Sequence, residues 1–178
     1  FCVKAYDTEA SAKLIKPIVG PKTAVIPFLN GLGHIEIMKN ILGNNNVIGG
    51  VAAISALIEE PGIIRHNSPM QMLKFGEFSN EKTERVIAFQ SACEKAGINN
   101  AIPDNINTDM WQKIVMICTL AGANCITRLP LGKCRSNPAT RIFMKNLAEE
   151  VVAVAQAEKI SLPDNQVEMT MKQLDSLP

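Results

Sequence analysis

Residues 23–42, TAVIPFLNGLGHIEIMKNIL, decide how the chain folds. Thr23 to Leu29 is an almost unbroken apolar run with β-branched members, the pattern of a parallel strand covered on both faces. Asn30-Gly31-Leu32-Gly33 breaks the run, and from His34 to about Leu42 apolar residues return at helical spacing. Buried strand, glycine turn and helix, in that order, form the unit of an open α/β sheet, whose ligands bind outside the carboxyl ends of its strands. Glycines at that edge allow close backbone approach, and amide N–H groups at a helix start can meet a phosphate or carboxylate. Asn-Gly is also a common turn pair where nothing binds. Glu36 stands where a third glycine would complete the dinucleotide fingerprint, so the turn is not a pyrophosphate loop.

Working outward, Phe1 to Ala5 reads as the tail of another buried strand, and Asp7 caps a helix that turns Ala10, Leu14 and Ile15 inward. Pro17 and Gly20-Pro21 end it. After Leu42, Asn44 to Asn46 form a turn and Val47 to Ile58 a second strand. Pro61-Gly62 then turns the chain into two short antiparallel strands, Ile63 to His66 and Met72 to Phe75, around the polar corner Asn67 to Pro69. Glu81 to Lys95 is an amphipathic helix with Val86, Phe89, Ala92 and Cys93 on one side, closed by Gly97.

Near residue 104 the alternation gives way to successive helices. Asn105 to Thr108 caps a long helix to about Ile126, apolar almost all round from Ile114 and therefore expected at the centre of a helical layer. Asn137 and Pro138 suit Ncap and N1 of the next helix, with Phe143, Leu147, Val151 and Ala155 inward to about Lys159. Pro163 and Asp164 begin a last helix, running to Pro178. The fold class is α/β followed by all-α, with domains at 1–104 and 105–178.

Composition narrows the function. Of 178 residues 47% are apolar, and 18 basic against 17 acidic residues leave a formal charge of +1 with no long run of either sign. No footprint for nucleic acid or anionic lipid results, which leaves small-molecule partners. Five cysteines, dispersed and without histidines at ligand spacing, point away from zinc and toward a reducing, cytoplasmic compartment. The longest apolar stretch, Ile114 to Thr127, is too short to span a bilayer, and no signal peptide is apparent. The chain is expected to start mid-protein.

Lys113 follows the single tryptophan by two residues at the entry to the apolar helix. A lysine facing a cleft can protonate a developing alkoxide if its pKa is lowered. The plain alternative is an i, i+4 ion pair with Asp109 on a solvated face. Asn124, eleven residues on, falls on nearly the same helix face, and a polar side chain among apolar neighbours needs a partner. Lys4, at a strand end, can reach a cofactor phosphate or simply be solvated. His34 and His66 read as surface or turn residues, and Arg128 and Arg135, flanking a Pro/Gly turn, as braces for helix ends.

Taken in order, Lys4-Ala5, Leu29-Asn30-Gly31-Leu32-Gly33, Pro61-Gly62-Ile63-Ile64-Arg65-His66, Phe75-Gly76-Glu77, Met110-Trp111-Gln112-Lys113, the stretch Thr127 to Pro138 and Glu149-Glu150-Val151 resemble the ketopantoate reductase family nearly end to end. The resemblance implies the C-terminal part of a Rossmann-type NADP-binding domain, then the start of a 6-phosphogluconate-dehydrogenase-like helical domain. It implies NADPH-dependent reduction of 2-dehydropantoate to pantoate, on the way to pantothenate and coenzyme A, and a homodimer through the helical domain. By the same resemblance Lys113 donates the proton and contacts substrate, Asn30 aligns nicotinamide and substrate, and Lys4 and Gly31 lie on the cofactor side, with no metal. The family's glycine-rich first turn and its last helices, which supply a serine and a carboxylate, have no counterpart here. Asparagines one and two turns after the lysine are replaced by Ile117 and Ala121, with Asn124 as a candidate substitute. A less polar oxo compound, or a non-catalytic module that kept the fold, are the alternatives.

Overall fold

A computed structural model describes residues 1–177, apart from the side chains of Ser68 and Pro69. Two compact units result, Phe1–Asp109 and Met110–Pro178.

In the first unit the segment 24–29 is bonded on both edges. Phe1 donates its terminal ammonium to Ile26 O at 2.8 Å and accepts from Phe28 N at 3.0 Å. Val25 N donates to Asn46 O at 2.7 Å and Val25 O accepts from Ile48 N at 3.2 Å, a parallel bridge with Val47. Neither residues 1–5 nor 23–29 form the regular strands expected, only these single parallel steps. Pro27, which has no N–H to offer, interrupts any longer ladder. The segment is nonetheless core, with Val25 and Leu29 buried.

Helix α1, Thr8–Ile15, buries Thr8 and Ala12, whereas Leu14 is 81% exposed. The expected inward face of Ala10 and Leu14 is thus wrong. Ala12 is the residue packed with Val25, Met38, Leu42 and Val47, because a methyl lets the two helices approach closely. Helix α2, His34–Leu42, has the expected bounds. His34 belongs to its inner stripe with Met38 and Leu42 and is 5% exposed, not on the surface.

Strands β1, Gly49–Glu60, and β2, Ile63–Gly76, run antiparallel through the Pro61-Gly62 turn. The two short strands expected around Asn67–Pro69 are one strand. The polar corner is a register break in it, between Ile54↔Gln71 and Ala56↔His66; the side chains of Ser68 and Pro69 lie outside the described residues. Gly50 explains itself: a Cβ there would meet Pro27 O at 2.6 Å, so only glycine lets β1 start against segment 26–28. Helix α3, Glu84–Lys95, buries Val86 and Cys93 and sets Phe89 edge-on to Phe75 at 4.7 Å, while Ala92 is exposed. Strand β3, Asn100–Ala101, pairs parallel with Leu73 and Lys74. Two residues are too few for the sequence pattern to have shown it.

Helix α4, Ile106–Thr127, is capped as expected, Asn105 Oδ1 accepting from Asn107 N at 3.0 Å and Thr108 N at 3.2 Å. In the second unit it is not enclosed. Val115, Thr119 and Ala123 are buried, while Cys118, Ala121, Cys125 and Ile126 are exposed. The turn expected near Gly132 is a short helix, α5, Leu131–Ser136. Asn137 caps α6, Pro138–Ala157, through Ala139 N and Thr140 N. Its buried stripe is Met144, Ala148 and Ala155; Phe143, Leu147 and Val151 are half-buried, about a residue's rotation from expectation. Gly122 admits Leu147, whose Cδ1 would lie 2.8 Å from any Cβ there. Helix α7, Gln166–Ser176, starts after Pro163, whose carbonyl accepts from Gln166 N; Pro178 lies outside the described residues. Arg135 braces its end as expected, donating to Leu174 O and Leu177 O. Cys134, Ala123, Leu131, Met144, Met171 and Leu174 form the core.

All five cysteines are free. Among the described residues no cluster suits a metal ion, and no helix is long and apolar enough to cross a membrane.

Candidate active site

The first unit offers a backbone site. Phe1 and segment 26–28 run parallel with Phe1 level with Pro27; Lys4, three residues on, immediately precedes the turn Ala5–Asp7, and Asn30 follows the buried Leu29. The side chains of Lys4 and Asn30 are exposed. Gly31 takes φ +91°, a left-handed conformation that side chains disfavour, and a Cβ on Gly31 or Gly33 would meet nothing within 4 Å. Ile35 N donates to Leu32 O at 3.0 Å as the chain enters α2, and no side chain caps that helix start. Open space over two glycines and uncapped amides suit the phosphate or carboxamide of a dinucleotide. The residues present therefore fit one end of such a cofactor. A pyrophosphate-binding glycine fingerprint is not among the 178 residues.

The second unit offers a side-chain site. Lys113 stands in the second turn of α4, half-buried, and its burial pushes the ammonium pKa below the ordinary lysine range. Asp109, which closes the first unit, accepts a charged hydrogen bond from Lys74 of the same unit. Lys74 escaped the sequence reading. The available signal was a lone cation between the apolar Leu73 and Phe75 of a strand.

Asn124 found its partner in a thiol. Cys134 Sγ, fully buried, lies 3.7 Å from Asn124 Oδ1, 3.6 Å from Leu129 O and 3.2 Å from Thr127 Oγ1. At 1.5 Å per residue, eleven residues put Asn124 about 16 Å along the helix from Lys113. The helix brings them to one face but not together. A shallow groove of about 390 Å³ lined by Gln112, Gln166, Met169, Lys172, Gln173 and Ser176 also opens on this unit, and nothing in the sequence had drawn attention to it.

A second buried charge completes the electrostatics of the first unit. Glu77 accepts from Arg85 through both carboxylate oxygens at 2.7 Å and from Thr83 Oγ1 at 2.7 Å. Arg85 outweighs burial and holds the Glu77 carboxyl below its usual range.

Comparison with known proteins bears on what this arrangement belongs to. Residues 1–80 match the family described as ketopantoate reductase PanE/ApbA, and residues 105–177 match the C-terminal part of the same family. An uncharacterized oxidoreductase, YkpB, of Bacillus subtilis is 30% identical over 157 residues, covering 88% of this chain and 52% of the relative. A 2-dehydropantoate 2-reductase of Streptococcus pyogenes is 25% identical over 173 residues, covering 97% and 55%. The crystal structure of 2-dehydropantoate 2-reductase from Porphyromonas gingivalis superimposes with a TM-score of 0.91 at 28% identity, over 99% of this chain and 61% of that one. The chain thus spans about half the length of the curated relatives it matches. With both parts of one family matched in their order, on the α/β-then-helical fold of its solved member, the chain belongs to the ketopantoate reductase family.

Proposed function

We propose that a protein containing this chain, at the length of its relatives, reduces small 2-oxo acids of the 2-dehydropantoate type with NADPH. The supporting observation is Lys113, a half-buried lysine on α4 within the stretch that matches the family's C-terminal part. The bound cofactor would supply a hydride to the carbonyl carbon. Lys113 holds a proton for the carbonyl oxygen as negative charge develops there, and a pKa lowered by burial eases its release. Lys4 and the amides over Gly31 bind and orient the cofactor, and Asn30 aligns its nicotinamide with the substrate. Asn124 enters only for a substrate long enough to span about 16 Å of helix. Cytoplasmic location and a homodimer through the helical unit complete the proposal.

The test is NADPH oxidation by that protein with 2-dehydropantoate and other 2-oxo acids, beside its Lys113→Ala variant. General-acid loss predicts a fall in turnover of about a hundredfold to ten-thousandfold with little change in cofactor affinity. Equal turnover in the variant would overturn the assignment. Absence of any reduction by the unaltered protein would favour a binding module that kept the fold.

A further inference from the structure

The helix face that follows Lys113 says what the rest of the substrate must be. One and two turns on stand Ile117, half-buried, and Ala121, exposed. Met116 and Leu120 flank them and pack against the helical core. Thr119, the hydroxyl within these two turns, is fully buried and donates to Val115 O at 2.8 Å. The next polar side chain on that face is Asn124, with its carbonyl oxygen turned to the Cys134 thiol at 3.7 Å. Along about 12 Å of helix, therefore, the stripe that continues Lys113 carries the methyl and methylene groups of Ile117, Leu120 and Ala121, with the exposed Cys118 thiol about 100° round the helix from Ile117.

A hydroxyl laid on such a surface leaves water without a replacement partner, whereas a methyl in its place loses nothing. We infer that the preferred substrate is a 2-oxo acid with an apolar side chain, whose hydrocarbon lies against Ile117 and Ala121. This rests on the reductase reading and sharpens it: the carboxylate and carbonyl are common to all candidates, and the face decides among what is attached to them.

The experiment compares two substrates that differ at one group, 2-dehydropantoate and 3,3-dimethyl-2-oxopentanoate, in which a methyl replaces the 4-hydroxyl. Each is assayed with the full-length protein and with Ala121→Asn, a substitution at an exposed position. The expected result is a kcat/KM some tenfold to a hundredfold higher for the methyl compound, the range an apolar pocket achieves against a hydroxylated isostere. In Ala121→Asn the ratio should shrink several-fold toward the hydroxylated substrate. Preference of the unaltered protein for 2-dehydropantoate overturns the inference and leaves the reductase reading standing. A ratio unmoved in Ala121→Asn overturns the assignment to this helix face. Reduction of neither compound overturns both readings.

Discussion

At the Asn30–Gly33 turn the groups available to a ligand are backbone amides, and what makes them available is the absence of side chains at Gly31 and Gly33. On α4 the candidate group is a side chain, Lys113, and what lowers its pKa is the burial around it. The first kind of site depends on backbone angles and empty space, and its neighbours can vary. The second depends on desolvation, which no single residue supplies. Glu77 shows the same desolvation with the opposite result. Burial also disfavours its charge, but the bidentate Arg85 outweighs it, so the carboxylate stays ionised where Lys113 is moved toward neutrality.

The largest effect should come from titrating the side-chain site. In the proposed role of proton donor Lys113 must be protonated, so kcat/KM for reduction should fall as pH rises through its pKa, and do so below the roughly 10.4 of an ordinary lysine. Lys113→Arg, always protonated, should abolish that limb together with most of the turnover. A pH profile unchanged in Lys113→Arg would show that another group donates the proton.

Next in size is Glu77→Gln, which leaves Arg85 partly buried without its counter-charge and should cost about 3 kcal/mol of stability in chemical denaturation. Because the Glu77 pKa is lowered on folding, its contribution is present above the carboxylate's unfolded pKa and is lost as pH falls through the folded value. The variant should therefore flatten the acid limb of stability against pH. An unchanged acid limb would mean that Arg85 does not set the ionisation of Glu77.

Gly50→Ala probes the backbone contact itself. Its methyl would sit 2.6 Å from Pro27 O and 2.8 Å from Ile26 Cγ2, and separating β1 from that segment should cost about 1–3 kcal/mol in thermal or chemical unfolding. Unaltered stability would show that the two segments part easily.

The finest distinction lies within the turn. Gly31→Ala has room for its methyl but must hold φ +91°, at a cost of about 1–2 kcal/mol. Gly33→Ala, at φ −59° and equally open, should change stability by less than about 0.5 kcal/mol. If Gly33→Ala nonetheless weakens NADPH binding, measured by fluorescence titration, the space over the turn is where the cofactor approaches. Unchanged binding in both variants would move the cofactor elsewhere along the edge.

Features set by neighbours in the chain were legible in the residues. Helix α2 begins and ends where its pattern does, and Asn105 and Asn137 cap helices because an amide oxygen two or three residues ahead of free N–H groups meets them wherever the helix lies. Gly97 ends α3 at φ +71° for an equally local reason. The Asn30–Gly33 turn and Lys113 stood out as chemistry for the same cause: a glycine between strand and helix, or a charge entering an apolar helix, is visible without knowing what surrounds it.

What escaped depended on distant partners. Leu14 is more apolar than Ala12, yet Ala12 is inside, packed with Val25, Met38, Leu42 and Val47, while Leu14 is exposed. Segment 23–29 has the composition of a strand, but one proline and the brevity of its neighbours' pairing reduce it to single bridges. That Asn124 needs a partner was visible; that one such partner is Cys134, ten residues away and brought close by the bend into α5, was not. The sequence alone determined the order of α/β and helical parts, the caps and turns, and which residue types could do chemistry, because these follow from torsional preference and spacing along one chain. Only the tertiary structure decided which apolar face is buried, which charge Asp109 and Glu77 meet, and that Lys113 is desolvated, because burial is set by whatever the rest of the chain places alongside.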